Sequence, residues 1–413
     1  MRIALVVHQF PPQHLGGTEV YTQGLAQALA DRGHQVGVFY PRADLVADRQ
    51  IEDDGLSLWE AANPPLPATA HPLRQFWRTF RNPRLEASFR RFIAGFRPDL
   101  VHFQHVQNVS VRLIELAAGR PRLLTLHDYW YICANGQLLR PDGSLCPRPG
   151  IACAACALAR LPSPLPRWVQ PAVALPFLAR NLYIRRALRG VDRFVAPSRF
   201  LIERYTAAGF PAARLLYLEN GIPVERICSF SPEPSDGPLR VTFIGSIAWQ
   251  KGVHVLAQAV AKLPPGAVRL RIWGDPTVFP AYARQVRALL ADPEAQMRGR
   301  IENERVGQAL AESDLIVVPS LWYENSPVVI QEARAAGVPV VVSGHGALAE
   351  KVHHRVNGLH FAPGDAGDLA RSLLRCLDEP DLLPNLRQSI PEPMDMGAHV
   401  EELLAIYQQV NRA

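Results

Sequence analysis

Two glutamates separated by seven residues stand on either side of a sequence that is typical of a helix start. Glu324 precedes Ser326-Pro327, and Glu332 falls in the second turn of the helix predicted to follow. A serine N-cap with proline at the first helical position is a strong start signal. The first N–H groups of a helix carry the positive end of its dipole and bind phosphate. The segment predicts two carboxylates on one extended ligand; an ordinary helix start with surface glutamates is the alternative.

A lysine lies in a glycine-flanked loop that could contact phosphate. Lys251 stands near the end of the segment Gly245–Gly252, which leaves a predicted strand and enters a predicted helix. The chain has only three lysines, and its other basic residues are arginines. A compact ammonium group suits the charge that develops on a departing nucleoside diphosphate. The alternative is a solvated lysine in a turn.

Two further loops follow predicted strands in the N-terminal half. Gly16-Gly17, followed by Thr18 as the predicted N-cap, allows the backbone to approach a ligand closely. His127 follows the predicted strand Leu123–Leu126, and ligands bind beyond the carboxyl ends of such strands. An ordinary Gly-Gly turn and a structural histidine are the alternatives.

Four of the six cysteines fall in one long loop after His127. They are Cys133, Cys146, Cys153 and Cys156. Four thiolates satisfy a tetrahedral zinc site, and the short spacing of the last two is common in such sites. The leading expectation is a structural zinc, with unligated thiols or an iron–sulfur cluster as alternatives.

The order of predicted elements indicates an α/β protein with two parallel sheets. Apolar strand-length runs alternate with helical patterns from Ile3, and the alternation restarts at Leu239 after a Ser-, Pro- and Asp-rich segment, Ser229–Pro238. We predict an N-terminal Rossmann-like domain, 1–218, on the acceptor side, and a C-terminal Rossmann-like donor domain, 219–395. The amphipathic helix 396–413 is expected to pack back on the first domain.

The segment Tyr323–Ala333 closely resembles the paired-glutamate motif of the retaining glycosyltransferases of family 4. The resemblance spans most of the chain and is densest over Val191–Pro363. It implies the GT-B fold, in which two Rossmann-like parallel-sheet domains face each other across a cleft. It also implies a nucleotide-sugar donor, with a UDP- or GDP-sugar expected here.

The resemblance also implies roles for single residues. Glu324 would lie beside the transferred sugar, Lys251 against the donor phosphates, and His127 against the sugar; these three are the expected catalytic residues. The family often has an arginine where this chain has Ser246, so a second cation is missing or supplied elsewhere. The expected donor-binding residues, with Glu332 on the ribose, are Gly16, Gly17, Ser246, Asn325, Ser326, Val328, Val329 and Glu332.

The implied reaction is transfer of a hexose with retention along a front-face, oxocarbenium-like path. The chain has no Asp-x-Asp motif, so we expect no metal cofactor in catalysis. The expected acceptor is a glycan or lipid-linked glycan in cell-surface polysaccharide biosynthesis. The alternatives are a non-catalytic sugar-nucleotide or metal-binding scaffold and, less favoured because Gly-x-Gly-x-x-Gly does not follow the first strand, a Rossmann oxidoreductase.

Composition excludes several other classes of protein. The 413 residues are 48% hydrophobic and 20% charged, which is ordinary for a globular chain, and the net charge of +6 indicates no nucleic-acid partner. No apolar run approaches the roughly 20 residues that span a bilayer. We therefore expect a cytoplasmic protein.

Arginine alternates with aromatic residues in two stretches, which suits the anionic inner face of a membrane. A peripheral position there is the further expectation, and solvated helix faces that pack aromatics into the core are the alternative. The first stretch holds Arg74, Phe76, Trp77, Arg78, Phe80, Arg81, Arg84, Phe89, Arg90, Arg91, Phe92 and Phe96, and the second holds Arg160, Trp168, Phe177, Arg180, Tyr183, Arg185 and Arg186.

Overall fold

The chain divides into two compact units. The first comprises Met1–Gly221 with Met396–Ala413, and the second comprises Ile222–Asp395. Of the predicted linker, residues 229 and 231–236 lie outside the described part of the chain. The computed structural model describes residues 1–12, 16–65, 76–78, 80–147, 149–150, 153–159, 170–228, 230, 237–290 and 292–412.

The first unit is built on an eight-stranded sheet, as far as the described residues show, with the order β3-β4-β2-β1-β5-β6-β7-β8. All pairs are parallel except β3 with β4. The strands are β1 (Arg2–Val6), β2 (Gln35–Arg42), β3 (Arg49–Asp53), β4 (Leu56–Ala62), β5 (Leu100–Phe103), β6 (Arg122–Thr125), β7 (Arg193–Ala196) and β8 (Leu215–Tyr217). The helices are α1 (Gly17–Ala30), α2 (Pro83–Phe96), α3 (Leu113–Leu116), α4 (Cys153–Leu158), α5 (Gln170–Leu188) and α6 (Arg199–Ala207), to which the C-terminal helix Met396–Arg412 is added.

The C-terminal helix belongs to the core of the first unit. Its Leu403 and Tyr407 are fully buried in one cluster with Ile3 of β1 and Leu25 of α1. The Tyr407 hydroxyl lies 2.7 Å from Nδ1 of His102 in β5. These contacts pack the C-terminal helix against β1, α1 and β5.

The second unit is a wholly parallel sheet with the order β11-β10-β9-β12-β13-β14 within the described residues. The strands are β9 (Leu239–Ile244), β10 (Val268–Trp273), β11 (Ala295–Gly299), β12 (Leu315–Val318), β13 (Val340–Ser343) and β14 (Gly358–Phe361). The helices are α7 (Glu225–Cys228), α8 (Val253–Val260), α9 (Pro280–Leu289), α10 (Val306–Ala311), α11 (Val328–Ala335), α12 (Gly346–Lys351), α13 (Ala366–Asp378) and α14 (Leu382–Gln388), and the C-terminal helix named above is α15.

Alternate residues of β12 enter two different cores, one on each face of this sheet. Leu315 and Val317 pack in one cluster, whereas Ile316 and Val318 pack in the other. A strand covered on both faces must be apolar at every position, which explains the run Leu-Ile-Val-Val. The prediction of two Rossmann-like parallel-sheet domains is confirmed.

Candidate active site

The loops after β9 and β12 bring Lys251 and Glu324 together. Lys251 ends the short 3-10 helix Trp249–Lys251, and Glu324 lies between β12 and α11. Nζ of Lys251 is 2.7 Å from Oε1 of Glu324. The two strands are hydrogen-bonded neighbours in a parallel sheet, so their carboxyl ends lie side by side. The predicted phosphate cation and the predicted sugar-side carboxylate thus form an ion pair.

A glycine allows the lysine loop to approach the end of β12. Gly252 has φ +69°, and a Cβ at this position would lie 1.8 Å from the carbonyl oxygen of Pro319. The backbone N–H of Leu321 also donates a 2.8 Å hydrogen bond to the carbonyl of Gln250. Only glycine fits both the left-handed conformation and the close backbone contact. This contact places the Lys251 ammonium next to the loop that carries Glu324.

The carboxylate of Glu324 is held by two further donors from its own loop. Its Oε1 accepts hydrogen bonds from the Ser320 hydroxyl at 2.6 Å and from Nε1 of Trp322 at 2.8 Å. The Lys251 ammonium also lies 5.4 Å from the centre of the Trp322 ring, a cation–π distance. Glu324 is buried. The side chain is therefore fixed in position before any ligand arrives.

Helix α11 begins at Val328, one residue later than the sequence predicted, and Ser326 is not its N-cap. The N-cap is Pro327, with φ −62° and ψ 120°, and no side chain caps the helix. The extended Pro327 keeps Ser326 out of the first turn, so the predicted capping geometry was wrong. Oγ of Ser326 is instead a buried oxygen without a hydrogen-bond partner in the described part of the chain. Val328 and Val329 supply the first N–H groups of the helix.

Burial raises the pKa of Glu332 from 4.5 to about 7. The residue lies in the second turn of α11, as predicted, and part of its surface stays accessible. Near neutral pH such a carboxyl is half ionised. A ligand that donates hydrogen bonds to it stabilises the ionised form. The vicinal hydroxyls of a ribose are donors of this kind.

His345 is a site residue that the sequence did not single out. It lies between β13 and α12, where its Nε2 is 3.0 Å from the Ser320 carbonyl and its ring is 5.4 Å from that of Tyr323. Burial lowers the pKa of His345, and the hydrogen bond to the Ser320 carbonyl and then the charge of Glu324 partly offset this. The neutral ring that donates from Nε2 has an acceptor at Nδ1, which is buried and makes no hydrogen bond to a described residue. His345 follows β13, which neighbours β12, and this position was the feature of the sequence that could have predicted it as a site residue.

Ser246 and Asn325, which were also predicted to bind the nucleotide sugar, differ in exposure. Ser246, after Gly245 at the end of β9, is exposed, and its carbonyl accepts a 2.9 Å hydrogen bond from the N–H of Ala248. Asn325, next to Glu324, is buried. Asn325 is thus part of the fixed loop, whereas Ser246 is a short, solvent-facing side chain at the place where the family often has arginine.

The glycine loop of the first unit has a different cap from the one predicted. Helix α1 starts at Gly17 with Gly16 as N-cap, not Thr18. The buried carboxylate of Glu19 lies against this turn, since a Cβ at Gly16 would be 2.4 Å from Glu19 Oε2. Oε1 of Glu19 is 3.4 Å from Nε2 of His8. A carboxylate at the positive end of the helix dipole replaces the predicted hydroxyl cap.

His127 follows β6 and is held in one orientation by residues of the first unit. Its Nε2 lies 2.9 Å from Oε1 of Gln104, and its ring packs edge-on to Tyr21 of α1, 5.3 Å between centroids. Burial, and then the charges of His105 and other histidines, lower the pKa of His127 well below the usual value. Because of this lowered pKa the ring is neutral, and since its Nε2–H donates to the amide oxygen, Nδ1 is an acceptor. Such a ring suits contact with a sugar hydroxyl.

The four cysteines of the long loop are free thiols in this structure. Cys133 is buried, and Cys146, Cys153 and Cys156 are partly exposed. In the described part of the chain no group of three or more His, Cys, Asp or Glu side chains is arranged around a metal position. The zinc expectation stays a prediction.

Three of the six aromatic rings of the first arginine-aromatic stretch belong to the core. Phe80, Phe89 and Phe92 are buried, which agrees with the alternative interpretation, and Trp77 is exposed. In the second stretch Arg180 is also buried. Predicted positions that lie outside the described residues are Arg74, Arg160 and Trp168.

Helices of membrane-crossing length and apolarity do not occur in the described residues.

Comparison with known proteins gives matches along nearly the whole chain. Residues 15–226 match the model for Glycosyltransferase Family 4, and residues 226–392 match that for Glycosyl transferases group 1. Glycogen synthase of Mycobacterium tuberculosis is 26% identical over 405 residues, which covers 92% of this chain and 87% of that protein.

Solved structures of the same architecture cover 99% of this chain. Sucrose-phosphate synthase of Thermosynechococcus elongatus superposes with a TM-score of 0.71 at 21% identity, over 98% of its own chain. Anabaena HepE in complex with UDP and glucose gives 0.68 at 20% identity, over all of its chain. With two parallel-sheet Rossmann-like domains and family matches across both, this chain is a GT-B glycosyltransferase and belongs to glycosyltransferase family 4.

Proposed function

We propose that the protein is a retaining hexosyltransferase that uses a nucleoside diphosphate sugar and needs no metal ion for catalysis. The observation that carries this proposal is the ion pair of Lys251 and Glu324, 2.7 Å long, in the loop that leads to the uncapped start of α11. A cation, a fixed carboxylate and a helix N-terminus together match the charges of a diphosphate linked to a polar sugar.

Lys251 acts on the leaving group. As the bond from the anomeric carbon to the diphosphate breaks, negative charge grows on the phosphate oxygen, and the ammonium group compensates it. Glu324 holds this ammonium in place, so little reorganisation is needed at the moment of reaction. The N–H groups of Val328 and Val329 at the positive end of the α11 dipole add to the same stabilisation.

Glu332 binds the ribose, and sugar contacts come from Glu324 and His127. Transfer proceeds on one face of the sugar: the bond to the diphosphate breaks, the acceptor oxygen bonds to the same face, and its proton passes to a diphosphate oxygen. The family membership and the absence of an Asp-x-Asp motif support this path. Gly16 and Gly17 are assigned to the donor side on the same basis.

The donor is a UDP- or GDP-sugar, and the acceptor is a glycan or lipid-linked glycan destined for the cell surface. UDP and glucose are present in the structure of Anabaena HepE, which supports a nucleotide-sugar donor. The related Mycobacterium tuberculosis protein is named for the synthesis of a polysaccharide, which supports a glycan acceptor.

The protein acts at the cytoplasmic face of a membrane, and helix α5 supports this assignment. Leu175, Leu178 and Leu182 share one face of the helix by their spacing, and they are 67%, 41% and 67% exposed. Arg185 and Arg186 lie exposed in its last turn. An apolar stripe next to arginines suits an anionic lipid surface.

Vesicle sedimentation tests the membrane assignment. The Leu175→Ser/Leu182→Ser variant is expected to bind vesicles containing anionic lipid at least fivefold more weakly than the wild type. Val46→Ser is the control, because Val46 is an 84% exposed residue of another loop of the same unit. Equal binding of both variants, or no binding of the wild type, would contradict the assignment.

A thermal-shift panel of UDP-, GDP- and ADP-sugars tests the enzymatic proposal. At 100 times the dissociation constant a ligand stabilises its binding unit by about 2.7 kcal/mol, which raises Tm by roughly 5–10 °C. We expect one nucleotide class to give this shift in metal-free buffer, and proton NMR of the transferred sugar to show the anomeric configuration of the donor.

The exposed Ser246 favours a second candidate, a non-catalytic scaffold that binds sugar nucleotides. A shift with a nucleotide sugar but no transfer to any glycan acceptor would favour this scaffold. A shift with NAD(P) alone would overturn both proposals.

A further inference from the structure

The four thiols of the first unit come from three local structures that fold towards one another. Cys133 closes a turn in which its N–H donates to the Tyr129 carbonyl at 2.7 Å. Cys146 follows the bridge between Leu139 and Leu145, and its N–H donates to the Leu138 carbonyl at 2.7 Å. Cys153 and Cys156 lie one turn apart on α4.

The thiols are close enough to interact electrostatically. Cys133 interacts with Cys146 and Cys153, and Cys153 interacts in turn with Cys146 and Cys156. Cys133, Cys153 and Cys156 line one cavity of about 280 Å³. The backbone N–H of Gly150 already donates to Cys153 Sγ at 3.2 Å, a contact that stabilises a thiolate.

A buried cation lines the same cavity. Arg180 is 2% exposed, and its guanidinium donates to the carbonyl of Trp130 at 2.6 Å and to the side-chain oxygen of Asn181 at 2.9 Å. The guanidinium also lies 4.7 Å from the centre of the Trp130 ring. Both hydrogen-bond acceptors are neutral, and the Asp128 carboxylate is the anion that interacts with this charge. An anionic centre in the cavity would add to that compensation.

We propose that Cys133, Cys146, Cys153 and Cys156 bind one structural zinc ion as a tetrathiolate. Binding releases the thiol protons to solvent, and the resulting complex of four thiolates with Zn²⁺ has a net charge of −2, which the Arg180 guanidinium partly balances. The four sulfurs must move inwards to surround the ion, because in the described part of the chain three such ligands do not yet meet at one point.

The zinc would brace the segment that begins at His127. Asp128, the next residue, accepts a 2.7 Å hydrogen bond from the N–H of Trp130 and lies 3.2 Å from Nε2 of His105. The turn from Asp128 to Cys133 therefore connects the sheet end to the first ligand. Zinc binding itself does not depend on the proposed enzymatic function, whereas its effect on His127 does.

Elemental analysis of the full-length protein, purified without added metal, tests the proposal. We expect about one zinc per chain in the wild type and a loss of at least fivefold in Cys153→Ser. Cys228→Ser is the matched control, because Cys228 is exposed and belongs to the second unit, and it should keep its zinc. Donor binding by thermal shift is measured on the same samples, so that a failure of the donor proposal is seen separately.

A titration of the wild type covers the case in which Cys153→Ser fails to fold. Stepwise mercuration of the thiols should release one equivalent of zinc, read with a chromogenic zinc indicator, as the four cluster thiols react. Less than a tenth of an equivalent of metal, disulfides among the four cysteines, or iron with the absorbance of a cluster would each overturn the proposal.

Discussion

Glu332 offers a prediction in which stability and ligand binding change in opposite directions. Raising the pKa of a carboxyl from 4.5 to about 7 costs its ionised form about 3 kcal/mol in the folded chain. Gln has a similar shape and no charge, so Glu332→Gln removes that cost. It also replaces the charged, two-oxygen acceptor that we assign to the ribose hydroxyls with a neutral amide that has one acceptor oxygen.

The sign of the stability effect follows from proton linkage. Below pH 4.5 the carboxyl is neutral in both states and costs nothing. Between pH 4.5 and about 7 it ionises first in the unfolded chain, so the free energy of unfolding falls as pH rises, and above pH 7 the loss is complete. Relative to the wild type, Glu332→Gln should gain about 1.4 kcal/mol at pH 5.5 and about 3 kcal/mol at pH 8. Urea unfolding at both pH values measures this difference.

Donor binding should show the reverse effect. If only the carboxylate binds the ribose, about a tenth of the wild-type protein is competent at pH 6, and its affinity for a nucleotide sugar should be roughly tenfold lower than at pH 8. The variant should bind about 1–3 kcal/mol more weakly at pH 8, with no such pH dependence. A nucleotide sugar is used because its diphosphate, esterified at both ends, does not titrate in this range. Unchanged affinity of the variant in calorimetry, or an equal pH dependence in both proteins, would refute the role of Glu332.

Two further predictions concern the lysine loop. Lys251→Ala should lower turnover about 100-fold or more, equal to about 3 kcal/mol, with a smaller change in donor affinity, and Lys251→Arg should restore little turnover, because a planar guanidinium does not replace a point charge. Steady-state kinetics on one donor measures this, and near-wild-type turnover of the alanine variant would exclude Lys251 from the mechanism. Gly252→Ala should lower the free energy of unfolding in urea by more than about 2 kcal/mol, because Gly252 has a positive φ and lies against the Pro319 carbonyl. Gly266 has φ +73° but open space around it, so Gly266→Ala should lower the free energy by about 1 kcal/mol. Equal losses would show that the backbone contact does not matter.

The sequence was sufficient for the fold because the strand runs are unambiguous. A run such as Leu-Ile-Val-Val at 315–318 is buried on both faces, and its regular alternation with helices allows few topologies. The ion pair of Lys251 with Glu324 was within reach for the same reason, since both residues follow neighbouring strands.

Local rules failed where tertiary contacts compete with them. Ser326 and Thr18 had good capping chemistry, but an extended Pro327 and the buried carboxylate of Glu19 occupy the two helix starts. Ser320 and Trp322 are the donors that fix Glu324. Their positions depend on the path of the loop, which residue spacing does not reveal. His345 was missed because a histidine between glycines has no local pattern of its own.

The arginine-aromatic pattern could not be resolved from spacing alone. A helix that alternates arginine with phenylalanine has one apolar face whether that face meets a core or a lipid surface. Phe89 and Phe92 of α2 are buried in the core, whereas Leu175, Leu178 and Leu182 of α5 are exposed. The difference depends on which helix face the sheet covers.

The central claim is a metal-independent nucleotide-sugar site built by Lys251, Glu324 and Glu332. Titration calorimetry of the nucleotide sugar chosen by the thermal-shift panel, in metal-free buffer at pH 8, tests it most directly on the wild type and on Lys251→Ala/Glu332→Gln. We predict saturable one-to-one binding to the wild type and at least a tenfold loss of affinity in the double variant. Equal affinities of the two proteins, or binding that appears only after a divalent metal ion is added, would contradict the claim.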